Sequence, residues 1–300
     1  MMRIAVFDIG GTSIKYAVSD EKANFLLEDS FPTEAFQGGK AVIDKIIQTS
    51  MELKKTWEIE GITISSAGQI DNENGVVVYA TDNIPGYTGM EVSKLIHSVT
   101  GLPVEVENDV NCTALGEHWM GAAQGVKNFI CVTIGTGIGG AIFVNGELFT
   151  GSNYSAGEVG HINLYPNGKA CTCGNNGCYE KYASSLALQE MVEETFNQKI
   201  NLKLFFENVR SGDQASRQVL ERWVDHLTTG LQSIVHTFNP EMIVIGGGIS
   251  AQGDFLLEYI HDSLFNKLMP NHKSNLSIKM AKYENKANLL GAIKHFYSKM

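Results

Sequence analysis

Apolar residues follow two alternating rhythms along the chain. Arg3–Asp8 is a nearly unbroken apolar run, as a strand buried on both faces requires. Ile14–Val18 and Phe25–Phe31 read as two further strands, and Gly10-Gly11-Thr12 is the turn between the first pair. Lys40–Trp57 then switches to a helical period, with Val42, Ile43, Ile46, Ile47, Met51 and Leu53 recurring at helix spacing. Gly61–Ser66 and Val76–Tyr79 return to strand. Glu91–Thr100 is helical and is stopped by Gly101-Leu102-Pro103. Val104–Glu107 is a strand, and Asp109 opens a helix to about Met120.

The pattern then restarts. Phe129–Ile134 is a strand, Gly135–Gly140 a turn and Ala141–Val144 a strand, followed by a loop-rich stretch over Gly151–Gly177. Helices are predicted over Tyr179–Thr195, Asn201–Ser211 and Ala215–Thr237. A strand at Met242–Ile245 ends in Gly246-Gly247-Gly248, and a helix (Asp254–Asn266), a strand (Leu276–Met280) and a last helix (Asn288–Tyr297) complete the chain. Each half begins strand, glycine turn, strand, which is a weak internal duplication rather than a short-period repeat. The mixture predicts two α/β domains, residues 1–115 and 116–287, with the C-terminal helix, about 288–300, packing back on the first.

Composition narrows the function classes. A 300-residue chain with 43% hydrophobic residues has enough material for a sizeable core. A net charge of −10 argues against a nucleic-acid surface, which needs Lys and Arg against phosphates. It does not argue against ATP, whose phosphates are handled locally by backbone amides, Mg²⁺ and one or two cations. The apolar part of the N-terminus is too short for a secretory signal, and no stretch approaches the roughly 18 apolar residues of a membrane helix. A soluble, cytoplasmic protein is expected.

The first chemical signals are two glycine hairpins, Asp8-Ile9-Gly10-Gly11-Thr12 and Ile134-Gly135-Thr136-Gly137-Ile138-Gly139-Gly140. The second holds a formal G-x-G-x-x-G, but its third glycine runs into Ala141-Ile142-Phe143-Val144, a strand, where a dinucleotide site needs a helix N-terminus. It is not a Walker loop either, since no Gly-Lys-Ser/Thr follows. Two such hairpins could still clamp a triphosphate through their N–H groups and Thr hydroxyls, with Asp8 holding Mg²⁺; the plain alternative is that they are tight turns. Asn108 and Asp109 stand where a strand ends and a helix begins. They are good N-cap residues, and Asp109 is also a candidate general base for phosphoryl transfer.

The remaining signal is metal-like. His161 precedes Cys171, Cys173 and Cys178, a Cys₃His set within eighteen residues whose spacing fits a closed structural zinc site. Buried free cysteines are the alternative. Cys112 and Cys131 are bystanders, and the odd total of five does not fit a secreted disulfide framework. The clip lies between Glu158 and Glu180, so zinc would fix those carboxylates and His161 in place, and sugar hydroxyls need such paired groups.

With Glu107-Asn108-Asp109-Val110-Asn111 and Gly157-Glu158-Val159-Gly160-His161 these motifs occur in an order that resembles the ROK family of sugar kinases over essentially the whole length, the cysteine clip being the most specific of them. The resemblance implies an α/β, actin/hexokinase-like fold, two RNase-H-like domains around a cleft, often as a homodimer. It implies an ATP-dependent kinase acting on a hexose hydroxyl, O6 by default, of glucose, N-acetylmannosamine or a related aldohexose. Asp109 would be the catalytic base. Gly68, Asn108, Asp109, Glu158, His161 and Glu180 would contact the sugar. Asp8, Gly10, Gly11, Thr12, Thr136 and Gly137 would line the ATP phosphates, with Gly247 and Gly248 near the adenosine. His161 would bind zinc through one ring nitrogen and meet a sugar hydroxyl with the other side of its ring. Ser66-Ala67-Gly68 stands where the family often has Ala-Pro-Gly, so a less rigid loop is expected. Tyr87 stands where many glucokinases of the group have tryptophan, which points to altered sugar preference. Family repressors carry an N-terminal helix-turn-helix, whereas this chain starts on the first phosphate strand; that, with Asp109 and both hairpins, counts against a non-catalytic sugar-sensing regulator. A plain zinc-stabilised binding module is the third reading.

Overall fold

The computed structural model describes residues 2–283 and 286–300. In chain order the first half forms β1 (Arg3–Ile9), β2 (Ser13–Asp20), β3 (Phe25–Pro32), α1 (Gly39–Trp57), β4 (Gly61–Ser66), β5 (Gln69–Asp71), β6 (Val76–Tyr79), α2 (Val92–Thr100), β7 (Val104–Asn108) and α3 (Asp109–Trp119). The second forms β8 (Phe129–Ile134), β9 (Ile138–Val144), β10 (Glu147–Phe149), α4 (Glu180–Ala183), α5 (Ser185–Phe196), α6 (Leu202–Arg210), α7 (Gln214–Phe238), β11 (Met242–Gly246), α8 (Asp254–Lys267), α9 (Pro270–Lys273), β12 (Ser277–Met280) and α10 (Ala287–Lys299). The chain divides into two compact units. One takes the chain up to Gly125, the segment Glu147–Ala156 and α10; the other takes Val126–Gly146 and the chain from Gly157 to the approach to α10.

The first unit is built on a sheet of order β3–β2–β1–β4–β7. The β1–β2 and β2–β3 pairs are antiparallel, and β4 and β7 add in parallel. Strand β1 shows why its run is apolar throughout. Ala5, Phe7 and Ile9 pack with Val42, Ile43 and Ile46 of α1, while Ile4 and Val6 pack with Leu289, Ile293 and Phe296 of α10. Successive side chains of a strand leave by opposite faces, so a strand covered on both sides must be apolar at every position. Helices α3 and α10 approach each other unusually closely. A Cβ on Gly291 would lie 1.7 Å from the Cys112 carbonyl oxygen, and one on Gly116 would lie 2.4 Å from that of Ala287. Only glycine permits this crossing at both positions.

In the second unit the strands run β9–β8–β11–β12, with β8–β9 antiparallel and β11 parallel to both β8 and β12. Ile130, Val132 and Ile134 of β8 enter one core with Trp223, Leu227 and Leu231 of α7 and with Leu256 and Ile260 of α8. The single helix predicted over Tyr179–Thr195 is interrupted. Ser184 is extended, its hydroxyl accepts from the Ala187 N–H to cap α5, and its carbonyl accepts from the Trp223 indole at 3.1 Å. The turn predicted over Gly135–Gly140 is shorter than expected, because β9 begins at Ile138 and Gly139 and Gly140 pair with Thr133 and Val132.

Candidate active site

Two groups of polar side chains, one in each unit, hold the residues singled out from the sequence. In the first unit Asp8 lies at the end of β1, only 8% exposed. Its Oδ1 accepts from Ser65 Oγ at 2.8 Å and from Asn288 Nδ2 at 3.1 Å. The turn Gly10-Gly11-Thr12 follows at once and is tied to the residue after β3. Thr33 donates its N–H to the Thr12 carbonyl and its hydroxyl to the Gly10 carbonyl.

Asn108 is the N-cap of α3, its Oδ1 accepting from the N–H groups of Val110 and Asn111 at 2.8 and 3.0 Å. Its Nδ2 donates to the Gly68 carbonyl at 2.8 Å and to Asp109 Oδ1 at 3.0 Å. Asp109 Oδ1 also accepts from the Val110 N–H. The capping reading therefore holds for Asn108, and Asn108 in turn orients Asp109. Burial is the largest influence on the Asp109 carboxyl and the charge of Asp8 the next; together they outweigh these hydrogen bonds and push its pKa up to about 7. A carboxyl held there is matched to accepting a proton near neutral pH.

Beneath the pair, Glu107 is buried at the end of β7, accepting from the Asn108 N–H, from Asn111 Nδ2 and from Asn72 Nδ2. Burial raises its pKa. The loop Ser66-Ala67-Gly68 is held at both ends. Tyr87, 1% exposed, meets Ser66 Oγ with its hydroxyl at 2.8 Å, and the Gly68 carbonyl takes the Asn108 amide. Tyr87 is thus buried, and its hydroxyl reaches the Gly68 loop through Ser66. Two hydrogen bonds thus hold this loop where a proline ring is lacking.

In the second unit Thr136 and Gly137 form the tip between β8 and β9, Thr136 exposed. Gly247 and Gly248 follow β11, and Gly247 passes so close to β8 that a Cβ there would lie 2.4 Å from the Ile134 carbonyl oxygen. The Gly157-Glu158-Val159-Gly160-His161 segment lies directly on β9. A Cβ on Gly157 would come within 2.3 Å of the Gly140 carbonyl oxygen, and one on Gly160 within 2.1 Å of that of Ile138. The glycines of this motif thus permit backbone contact, which places Glu158 and His161 beside the hairpin. Glu180 opens α4, and its Oε2 would lie 2.5 Å from a Cβ on Gly137.

His161, Cys171, Cys173 and Cys178 converge, with one ligand atom from each lying within 4.8 Å of all the others. Cys173 and Cys178 Sγ are 3.5 Å apart, and Cys171 Sγ is 3.7 Å from His161 Nδ1. None of the cysteines is bonded to another. Tetrahedral zinc with thiolate and imidazole ligands needs edges of about 3.5–3.8 Å, which these two distances match, and the donor set of three thiols and an imidazole suits that ion. Without a metal ion, the Asn175 N–H is the main influence lowering the Cys173 thiol pKa, while burial raises those of Cys171 and Cys178; a bound cation is what would hold all three as thiolates. With Nδ1 facing the thiols, His161 turns Nε2 towards Glu158, 3.8 Å from Oε2, while Glu180 Oε1 lies 3.3 Å from Cys171 Sγ. Both carboxylates therefore lie next to residues of the clip, Glu158 beside His161 and Glu180 beside Cys171.

The ROK family model matches residues 4–298. The chain belongs to the ROK family. A glucokinase from Thermotoga maritima is 31% identical over 305 residues, covering 97% of this chain and 96% of the relative. A beta-glucoside kinase from Listeria monocytogenes is 32% identical over 298 residues, covering 98% of this chain and 97% of its own. Among solved structures, a ROK family glucokinase from Streptomyces griseus in complex with glucose and AMPPNP matches with a TM-score of 0.85 at 30% identity, covering 97% of this chain and 98% of that one. The actin/hexokinase-like fold of ROK hexokinases is the fold of this chain. Among the described residues no helix is long and apolar enough to cross a membrane.

Around these residues, sequence reasoning missed Ser65, Asn72, Glu107, Thr113 and Asn288. Each is an ordinary polar residue in an element assigned for its apolar pattern or its turn. Glu107 alone carried a signal, an acidic residue at the end of a buried strand.

Proposed function

We propose that this protein is an ATP-dependent hexose kinase that moves the γ-phosphate of ATP to a sugar hydroxyl, O6 of glucose, N-acetylmannosamine or a related aldohexose. The observation that carries this is Asp109, a carboxyl with its pKa pushed up to about 7 beside a second carboxylate, Asp8, and oriented by a capping asparagine. Phosphoryl transfer asks a protein for an oriented alcohol, a base within reach of its proton, and stabilised phosphate charge. Asp109 takes the proton of the attacking hydroxyl. The turns Gly10–Thr12 and Thr136–Gly137 offer amides and hydroxyls to the phosphates, and Gly247–Gly248 lies by the adenosine. Asp8 is the residue that would hold magnesium, since among the described residues its side-chain hydrogen bonds go to Oδ1. A magnesium ion there supplies charge neutralisation on the phosphates.

The residues proposed to contact the sugar are Gly68, Asn108 and Asp109, with Glu158, His161 and Glu180. Zinc in the Cys₃His set would be structural, since four protein ligands leave no open position. The names of the relatives and the glucose bound in one of their solved structures support an aldohexose. The test is ADP release over a panel of hexoses with Mg-ATP. Turnover with one or more aldohexoses is expected. Sugar binding without turnover on any of them assigns the chain to the sensing regulators instead, and absence of ATP affinity by calorimetry assigns it to plain binding modules.

A further inference from the structure

We infer that Asn288, on the C-terminal helix, is a positioning residue that fixes the magnesium-side carboxylate, Asp8, relative to the helix that carries Asp109. The inference rests on the kinase reading for what Asp8 does. It rests on the first unit alone for how Asn288 acts. Asn288 donates Nδ2 to Asp8 Oδ1 at 3.1 Å, and its Oδ1 accepts from the hydroxyl of Thr113 on α3. That hydroxyl also reaches the Asp109 main-chain carbonyl, at 3.0 Å. One side chain therefore spans from the end of β1 to the first turn of α3. With Ser65 it directs the hydrogen bonds that Asp8 accepts among the described residues onto one oxygen, Oδ1, so that Oδ2 faces a ligand without competition from them.

The amide has only one sensible orientation. Turned over, its oxygen would face the carboxylate of Asp8, acceptor against acceptor, so the NH₂ must point at Asp8 and the carbonyl at Thr113. The reach is set by the helix crossing already described. Gly291, three residues further on, lies against the Cys112 backbone, and Ala287 lies against Gly116. Residues three apart share a helix face, so the glycine contact and the Asn288 contact belong to one surface of α10. Thr63 Oγ1 donates to the Ala292 carbonyl at 3.0 Å and fastens the next part of the same helix to β4. A carboxylate that loses one of two donors is free to rotate or to take a proton, and it then presents a poorer oxygen to a hard cation.

The test compares the wild type with Asn288→Ala and Thr113→Val, measuring by calorimetry the affinity for the inert nucleotide AMPPNP in magnesium and in EDTA, with hexose kinetics alongside. In Asn288→Ala the gain in affinity that magnesium confers should fall by about 5- to 10-fold, with EDTA affinity and hexose KM within about twofold of wild type. Thr113→Val keeps the shape and removes the hydroxyl that anchors the amide. It should lose part of the same gain, and it carries the test if Asn288→Ala does not fold. An unchanged magnesium gain in the folded variants overturns the inference. Equal losses in magnesium and EDTA also overturn it, since that is what a merely structural role predicts. A wild type that gains nothing from magnesium removes Asp8 from metal binding and the inference with it. A wild type that binds Mg-AMPPNP but turns over no hexose refutes the kinase reading alone, and the binding ratio still decides the role of Asn288.

Discussion

Replacing Asp109 by asparagine should abolish most of the activity and, above neutral pH, make the protein more stable. Burial and the neighbouring Asp8 raise the carboxyl from an ordinary 3.8 to about 7 in the folded chain. Below about pH 4 the folded and unfolded chains both hold the proton, and Asp109 costs nothing. Between pH 4 and 7 the unfolded chain sheds it while the folded chain keeps it, so stability falls through this window. Above pH 7 both forms are ionised and the loss is complete. Straight conversion gives about 4 kcal/mol, and solvent screening of a partly exposed carboxyl reduces this to about 2 kcal/mol. Asparagine keeps the shape, and its oxygen still accepts from the Val110 N–H, but it carries no charge at any pH. Urea denaturation of the two proteins from pH 4 to 8, without ligands, isolates the effect because every other titrating group is common to both. Asp109→Asn should match wild type at pH 4 and exceed it by about 2 kcal/mol at pH 8, with kcat lower by about 10² or more and sugar binding retained. A stability difference that does not change with pH refutes the reasoning about the carboxyl; an unchanged kcat removes Asp109 from the role of base.

Cys173→Ser should lose zinc, measured by metal analysis, and raise hexose KM by about tenfold, since Glu158 and Glu180 lie next to residues of the clip; metal lost with KM unmoved would show that the clip does not position them. Tyr87→Phe removes the hydroxyl that meets Ser66 and should cost about 1 kcal/mol of stability. It should also raise KM for the hexose while leaving KM for ATP alone, and equal changes in both would remove the loop from sugar recognition. Gly291→Ala places a methyl 1.7 Å from the Cys112 carbonyl oxygen, so α10 must retreat from α3. A loss of about 3 kcal/mol or more is expected in thermal or urea unfolding, and a stable, fully active variant would contradict the close crossing.

How much of this could be read from the sequence depended on distance along the chain. Strands and helices announce themselves within ten or fifteen residues, and the boundaries that missed have local causes. Ser184 caps α5 and splits a predicted helix because its carbonyl is needed by Trp223, a partner 39 residues away. Glycine motifs were legible as turns, but Gly157 and Gly160 are there for contact with β9, and Gly116 and Gly291 for a helix crossing. A glycine looks the same in the sequence whichever of these it serves. The cysteine clip was legible because a metal site of this kind concentrates rare residue types within a short span.

The polar framework under Asp8 and Asp109 shows the opposite limit. Its members, Ser65, Thr113 and Asn288, come from β4, α3 and α10, and the Thr113–Asn288 link joins positions 175 residues apart. None is unusual where it stands, and each helix would form with alanine in its place. What makes them a unit is that a carboxylate only 8% exposed needs donors, and only short side chains fit where the glycines of α3 and α10 bring backbones together. The close crossing and the hydrogen-bonded carboxylate are therefore one requirement met twice. A methyl at Gly291 and the loss of the amide at Asn288 should both harm magnesium-dependent nucleotide binding, the first by moving the helix and the second without moving it. If only the first does so, the framework serves packing and the orientation of Asp8 has another source.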